Sequence, residues 1–455
     1  MDETEVGAAA RPRLERTGPT ARRRTPPADP SLLPPGPRLP RIVQSIGMMR
    51  FRHRWVPWLH ARYGEGFTVR LFPSTRNIVL FSEPATVREI FAGDPEVFHA
   101  GEANAILGPV MGEHSVLLVD GAEHRRARAL LTPAFSGRAL RGYADLVTGL
   151  ARTEVGSWVP GVPFRMLDRM NALTLEVILR VVFGVTDEAR LARLRPLVRD
   201  LVEVSPLVLL GWAVPRLRRV GMWRRAVENT AALDALLYAE IAERRRSPDL
   251  ATRSDVLSTL VRVEDHGERL DDAELRDQLV TLLLAGHETT ATALAWTLHE
   301  VGLDPALRER ARAAARSGDD AYLEVLVKEA MRLHPVIPMV VRVLRRPATL
   351  GGVDLPAGTT VAASIILAHR RPASHPRPEA FDPARFVGGQ PAPNTWIPFG
   401  GGVRRCLGAS FSLMEAVAVL REVLTAHEVE AVAPEGPRVR NITSVPRDGA
   451  HSVVR

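Results

Sequence analysis

The amino-acid sequence predicts a mainly α-helical protein: a single large domain carrying small peripheral β-sheets. Three observations predict it. From about residue 84 to residue 335, apolar residues recur at intervals of three and four, the helical period. β-like runs are short and gather toward the two ends of the chain: FTVRLF from Phe67, NIVLF from Asn77, VVRVL from Val340 and ATLGGVDLPAGTTVAASI from Ala348. No internal repeat and no clear linker divides the 455 residues, so one core is expected.

In chain order, residues 1–34 are rich in Pro, Arg and Thr and read as a disordered arm ahead of a domain spanning 35–455. The first two β-like runs, separated by PSTR, form a hairpin. Residues 187–204, DEARLARLRPLVRDLVEV, make one of the helices that follow. A long helix is predicted over Asp271–Glu300; its acidic start suits the positive end of the helix dipole, and its apolar centre marks it as buried. A second helix, AYLEVLVKEAMRLH, must stop at Pro335. A proline-rich meander runs from Pro372 to Asn394, and a last helix, ASFSLMEAVAVLREVLTAH, follows Cys406 before a terminal β segment.

Composition narrows the function. Hydrophobic residues are 45% and charged residues 25%, as in soluble globular proteins. The net charge of +8 is carried by arginine, Lys328 being the only lysine, and aromatic residues at 5% do not interleave with the arginines as a nucleic-acid stacking platform requires. No nucleic-acid partner is expected. The first residues lack the apolar core of a signal peptide, and runs such as PLVLLGWAVP are too short to span a bilayer. A cytoplasmic monomer without a transmembrane segment is expected.

The chain has one cysteine, Cys406, in FGGGVRRCLG, residues 399–408. A single thiol excludes an internal disulfide and a CxxC zinc site. It can be a buried structural thiol, a nucleophile with a histidine nearby, or a metal ligand. Three consecutive glycines cost backbone entropy and serve where backbone passes close to something bulky. A helix beginning at the cysteine would offer N–H groups and a positive dipole end to an ionised sulfur. Nucleophile and iron ligand both use such a sulfur, and spacing alone leaves the two open.

FGGGVRRCLG resembles the haem-binding loop of the cytochrome P450 family, F-x-x-G-x-R-x-C-x-G, with Phe399, Gly402, Arg404, Cys406 and Gly408 at the specified positions. Further segments resemble the soluble bacterial members in the expected order. Glu329-Ala-Met-Arg332 matches E-x-x-R, and FDPARF supplies Arg385 for a structural Glu329–Arg332–Arg385 network. Ala285-Gly-His-Glu-Thr-Thr290 matches the oxygen-binding segment. His124 and Arg128 match H-x-x-x-R, and Arg342 matches the arginine after the E-x-x-R helix.

The resemblance implies one domain with haem b between the long central helix and the cysteine loop. Cys406 is then the axial thiolate and metal ligand. Ala285, Phe399, Gly400 and Gly408 adjoin the haem, and His124, Arg128, Arg342 and Arg404 serve its propionates. Glu288 and Thr289 are the catalytic acid–alcohol pair that delivers protons, with Gly286 and a threonine back-bond opening a kink beside them. His287 is read as a core histidine. The implied activity is a monooxygenase that inserts one atom of dioxygen into a hydrophobic substrate: a lipid, terpene, steroid or polyketide-like molecule. Ile106, Leu107, Val110, Leu209, Leu284, Ile337 and Met339 are candidate pocket residues. Electrons come ultimately from NAD(P)H through a ferredoxin or flavodoxin with its reductase, steered by Arg125, Arg126 and Arg405. Two other readings are a haem-thiolate sensor without turnover and a cysteine hydrolase.

Overall fold

The computed structural model describes residues 24–72, 76–184, 187–202, 220–389 and 391–455. Its axis is a central helix, Asp272–Leu303. The helix begins where the sequence supplies a capping box: the Asp271 carboxylate accepts from the Glu274 N–H at 2.8 Å, and the Glu274 carboxylate accepts from the Asp271 N–H at 3.0 Å. From Leu275 to Gly302 it is buried on nearly every face, so its apolar composition is paid back by packing. It runs along the helix Met166–Phe183, itself mostly buried, and against Gly221–Arg246, Asp320–Leu333 and Ala409–Ala426.

Gly286 lets two of these helices approach. A Cβ there would stand 2.8 Å from Ile178 Cδ1 on Met166–Phe183. The helix runs on through Gly286, and Thr289 and Thr290 make the expected back-bonds to the Ala285 and Gly286 carbonyls at 2.8 and 3.2 Å. Close packing, rather than a break, explains this glycine.

The β-structure is peripheral. Five strands, in the order Phe67–Arg70, Asn77–Phe81, Thr360–Ser364, Met339–Leu344 and Phe98–His99, form the main sheet. Only the second and third are parallel, with Ile78 opposite Thr360. The strands Pro437–Arg440 and Thr443–Pro446 form a C-terminal hairpin with Arg440 opposite Thr443. The expected helix over 187–204 is seen as Glu188–Val202, and the E-x-x-R helix as Asp320–Leu333, ending just before Pro335.

Residues 24–34, placed in the arm from the sequence, lie against the body. Thr25 is buried; its N–H and hydroxyl donate to the Glu102 carboxylate at 2.6 and 2.9 Å, and Arg76 donates to its carbonyl. The buried carboxylate and its arginines hold a stretch whose composition alone reads as unstructured.

Candidate active site

The cysteine loop is shaped by glycine at two contacts. Gly402 has φ +63°, and a Cβ on it would lie 1.9 Å from the Phe91 carbonyl oxygen; one on Gly401 would lie 2.3 Å from the Phe91 ring. The loop therefore closes against the helix Pro84–Ala92. The Cys406 N–H donates to the Phe399 carbonyl at 2.9 Å, which folds the ten-residue motif back on itself. The following helix begins at Ala409, the first residue of the expected ASFSLMEAVAVLREVLTAH, with Gly408 as its N-cap, so Cys406 stands three residues ahead of it.

Cys406 is solvent-accessible, although protein crowds its sulfur closely enough to shift its ionisation. Burial pushes the thiol up, against the Gly408 N–H and the Arg405 and Arg128 cations, which pull it down. Neither cation is a base, as a cysteine nucleophile would require. The central helix shows a matching interruption. Ala285 is exposed and Leu284 and Thr289 are half-buried, although the turns on either side are almost wholly buried. Thr290 Oγ1 lies 3.1 Å from Ser412 Oγ on Ala409–Ala426, which ties this stretch of the helix to the segment after Cys406.

Arg404 connects the loop to the far wall. Its guanidinium donates to the Val116 and Val119 carbonyls at 3.1 and 2.6 Å and to Asp120 Oδ1 at 2.5 Å. The loop before Asp120 is itself pinned to the central helix, where Gln278 accepts from the Val116 N–H and Asp277 from the His114 N–H.

Four cationic or ionisable groups share this region. His124 is pushed down to about 4, first by burial, then by Arg404 and Arg128, with Asp120 opposing and Arg342 adding to it. Arg342 and Arg404 are each pushed down to about 10 by burial. Asp120 is the one carboxylate acting on this group in those balances, and it already serves Arg404. Such a cluster is short of negative charge. Among the described residues no three His, Cys, Asp or Glu side chains converge as a metal site. A prosthetic group bearing a metal and two carboxylates would suit the Cys406 sulfur and this cation-rich cluster.

Behind the loop, Glu329 and Arg332 are fully buried and paired twice, at 2.7 and 2.9 Å. Arg332 also donates to the His369, Pro378 and Ala380 carbonyls, while Arg385 and the Asp382 N–H reach Glu329 Oε1 at 3.3 and 2.8 Å. Thus one ion pair fixes the meander. Trp396 carries this order to the loop: its Nε1 donates to the Lys328 carbonyl at 3.1 Å, and its ring meets Phe399 edge-on at 5.9 Å.

The family model described as cytochrome P450 matches residues 33–447. The chain belongs to the cytochrome P450 family. It is similar to cytochrome P450 135A1 of Mycobacterium tuberculosis, with 51% identity over 92% of this chain and 94% of that one. It is also similar to cytochrome P450 135B1 of Mycobacterium bovis, with 42% identity over 93% and 91%. Among solved structures, retinoic-acid-bound cyanobacterial CYP120A1 superposes with TM-score 0.81 at 24% identity, covering 93% of this chain and 99% of that one. The heme domain of cytochrome P450DA gives 0.77, also at 24%, covering 93% and 97%. As a cytochrome P450, the chain is a haem-dependent monooxygenase, an oxidoreductase.

The remaining sequence candidates are dispersed. Ile106 is exposed and Leu107 half-buried; Val110 is buried in the helical core. Ile337 packs toward the main sheet and Met339 toward the N-terminal helices. Leu209 lies outside the described residues. Of the three arginines expected to steer an electron carrier, Arg125 and Arg405 are exposed, Arg125 beside Glu96, while Arg126 is half-buried between Glu268 and Glu274. Asp120, Phe91, Trp396 and Arg440 were missed. Each acts through distant residues, and no local spacing marks it.

Proposed function

We propose that Cys406 is the haem ligand and that Thr289 and Glu288 manage protons above it, in a monooxygenase acting on a hydrophobic small molecule. The observation that carries this is the solvent-accessible Cys406 in its cation-rich loop, together with the accessible Ala285 and Thr289 on an otherwise buried helix that Thr290 ties to the segment after Cys406. When bound, haem supplies the activation of dioxygen, one atom going to substrate and one to water.

The chain's own residues do the rest. His124, Arg128, Arg342 and Arg404 would hold the two carboxylates of the haem. Thr289 presents its accessible hydroxyl while its proton is held toward the Ala285 carbonyl. Glu288 lies one residue earlier, buried on the side of the C-terminal hairpin, and accepts from Thr443 at 3.2 Å. The alcohol thus stands at the reaction space and the acid behind it, an arrangement for a two-step relay.

The apolar character of Leu284, Ile337 and Met339 favours a lipid-, terpene-, steroid- or polyketide-like substrate. Electrons come from NAD(P)H through a separate ferredoxin or flavodoxin and its reductase, docking near Arg405. The reduced, CO-bound absorption spectrum tests the ligand: a strongly red-shifted Soret band is expected, absent in Cys406→Ala. A band unchanged by that substitution overturns the assignment. Titration of the spin state with hydrophobic compounds then sorts the substrate class.

A further inference from the structure

The first helix, Arg41–Arg50, is turned inside out. Its buried face carries Gln44, Ser45, Gly47 and Met48; its outer face carries Ile42, Val43, Ile46 and Met49, each between 45% and 58% exposed. The buried polar residues are occupied. Gln44 donates to the Pro37 and Leu39 carbonyls and accepts from the Arg70 N–H; Ser45 accepts from the Phe72 N–H at 2.8 Å. The helix is thereby locked to the strand hairpin with its aliphatic side outward, opposite to a helix that faces a core.

The apolar surface continues beyond this helix. Phe72, held beside Ser45, is 55% exposed. On the second helix, Arg52–Tyr63, Trp58 is 55% exposed, and Phe51 just ahead of it 53%. Arg52 donates to the Ile442 carbonyl at 3.2 Å and so brings the exposed Ile442 to the same region. The two helices form one rigid piece, since a Cβ on Gly47 would strike the Trp55 ring at 2.8 Å. Grouped apolar exposure of this kind marks an interaction surface.

Charge identifies the occupant. Residues 30–64 contain six arginines and no Asp or Glu, in a chain with 52 acidic residues. Arg38, Arg50, Arg54 and Arg62 are exposed around the apolar face. A second copy of the chain would set these arginines against their equivalents. A layer with an apolar interior and anionic headgroups satisfies both features.

We propose that the outer face of Arg41–Tyr63, with Phe72 and Ile442, docks peripherally on an anionic lipid bilayer. The apolar side chains enter the headgroup boundary and the arginines meet the phosphates. No helix among the described residues is long and apolar enough to cross a membrane, so the attachment lies in the interface plane.

Flotation of the full-length, haem-loaded protein with vesicles tests this. Binding is expected to phosphatidylcholine vesicles containing phosphatidylglycerol, to be weak on phosphatidylcholine alone, and to fall with salt. The double variant Ile46→Asp, Trp58→Asp should lose on the order of tenfold or more in partition. Arg50→Glu, Arg54→Glu should lose the preference for the anionic lipid. All four sites are exposed, and an unchanged Soret band shows that each variant is folded. Failure to bind anionic vesicles at low salt overturns the proposal, as does binding that survives the double apolar variant. A concentration-dependent dimer abolished by that variant, without vesicle binding, assigns the face to a second copy instead and equally overturns it.

Discussion

Glu288 and Arg440 meet between the central helix and the C-terminal hairpin, with Arg440 Nε 3.5 Å from Glu288 Oε1 and Thr443 donating to the same oxygen. The next residue, Thr289, bonds back to the Ala285 carbonyl of its own helix. Neighbours in sequence are thus separated in task, and their substitutions should fail differently. Thr289→Ala should keep oxygen consumption but divert it to hydrogen peroxide. Glu288→Gln, which still accepts from Thr443, should slow turnover by about a hundredfold with an enlarged solvent isotope effect. Product-to-oxygen ratios in both variants check this; identical behaviour would remove the division of roles.

The buried Glu329–Arg332 pair predicts a stability effect. Arg332 makes two bonds to Glu329 and three to carbonyls in one planar fork, which lysine cannot reproduce. Arg332→Lys should cost about 3 kcal/mol or more, read as a lowered urea midpoint together with loss of the Soret band. A variant of parental stability would show that the meander is held by other contacts.

Two glycines of the cysteine loop predict opposite outcomes. At Gly402 a Cβ meets the Phe91 backbone at 1.9 Å with φ at +63°, so Gly402→Ala should destabilise the fold by about 2 kcal/mol or more. At Gly408 a Cβ meets nothing within 4 Å of protein. Gly408→Ala should keep the parental Tm before haem loading and lower only haem retention. Thermal unfolding and haem content together separate packing within the chain from clearance for its cofactor. If both variants unfold alike, Gly408 serves the protein rather than the haem.

The sequence made local features legible. The capping box at Asp271, the stop at Pro335 and the run of glycines before Cys406 are written within a few residues of where they act. Long-range partners were not. Asp120 meets Arg404 across 284 positions and Thr443 meets Glu288 across 155. The same limit hides the packing role of Gly286, whose neighbour Ile178 lies on another helix, and the acidic neighbours of Arg125 and Arg126, since Glu96, Glu268 and Glu274 lie elsewhere in the chain.

His369 joins the two halves of the scaffold and predicts a pH dependence. Its carbonyl accepts from Arg332, and its ring Nε2 accepts from the Ile397 N–H at 2.8 Å, two residues before Phe399. An acceptor nitrogen must be unprotonated. Burial, then His375 and Arg332, push the group down from 6.5 to about 3. The unfolded chain therefore binds a proton between these values that the folded chain refuses. The stability is fully present above pH 6.5 and is lost as pH falls toward 3, at about 1.4 kcal/mol per pH unit for one such proton. His53, His124 and His287 are also pushed down, to about 3, 4 and 4, and steepen the same limb. His369→Gln retains an acceptor for Ile397 without the titration. It should be less stable at pH 7 but flatter in its dependence by about one proton, as read from urea unfolding between pH 7 and pH 4. Parallel curves for parent and variant would show that His369 is not the group that acid attacks.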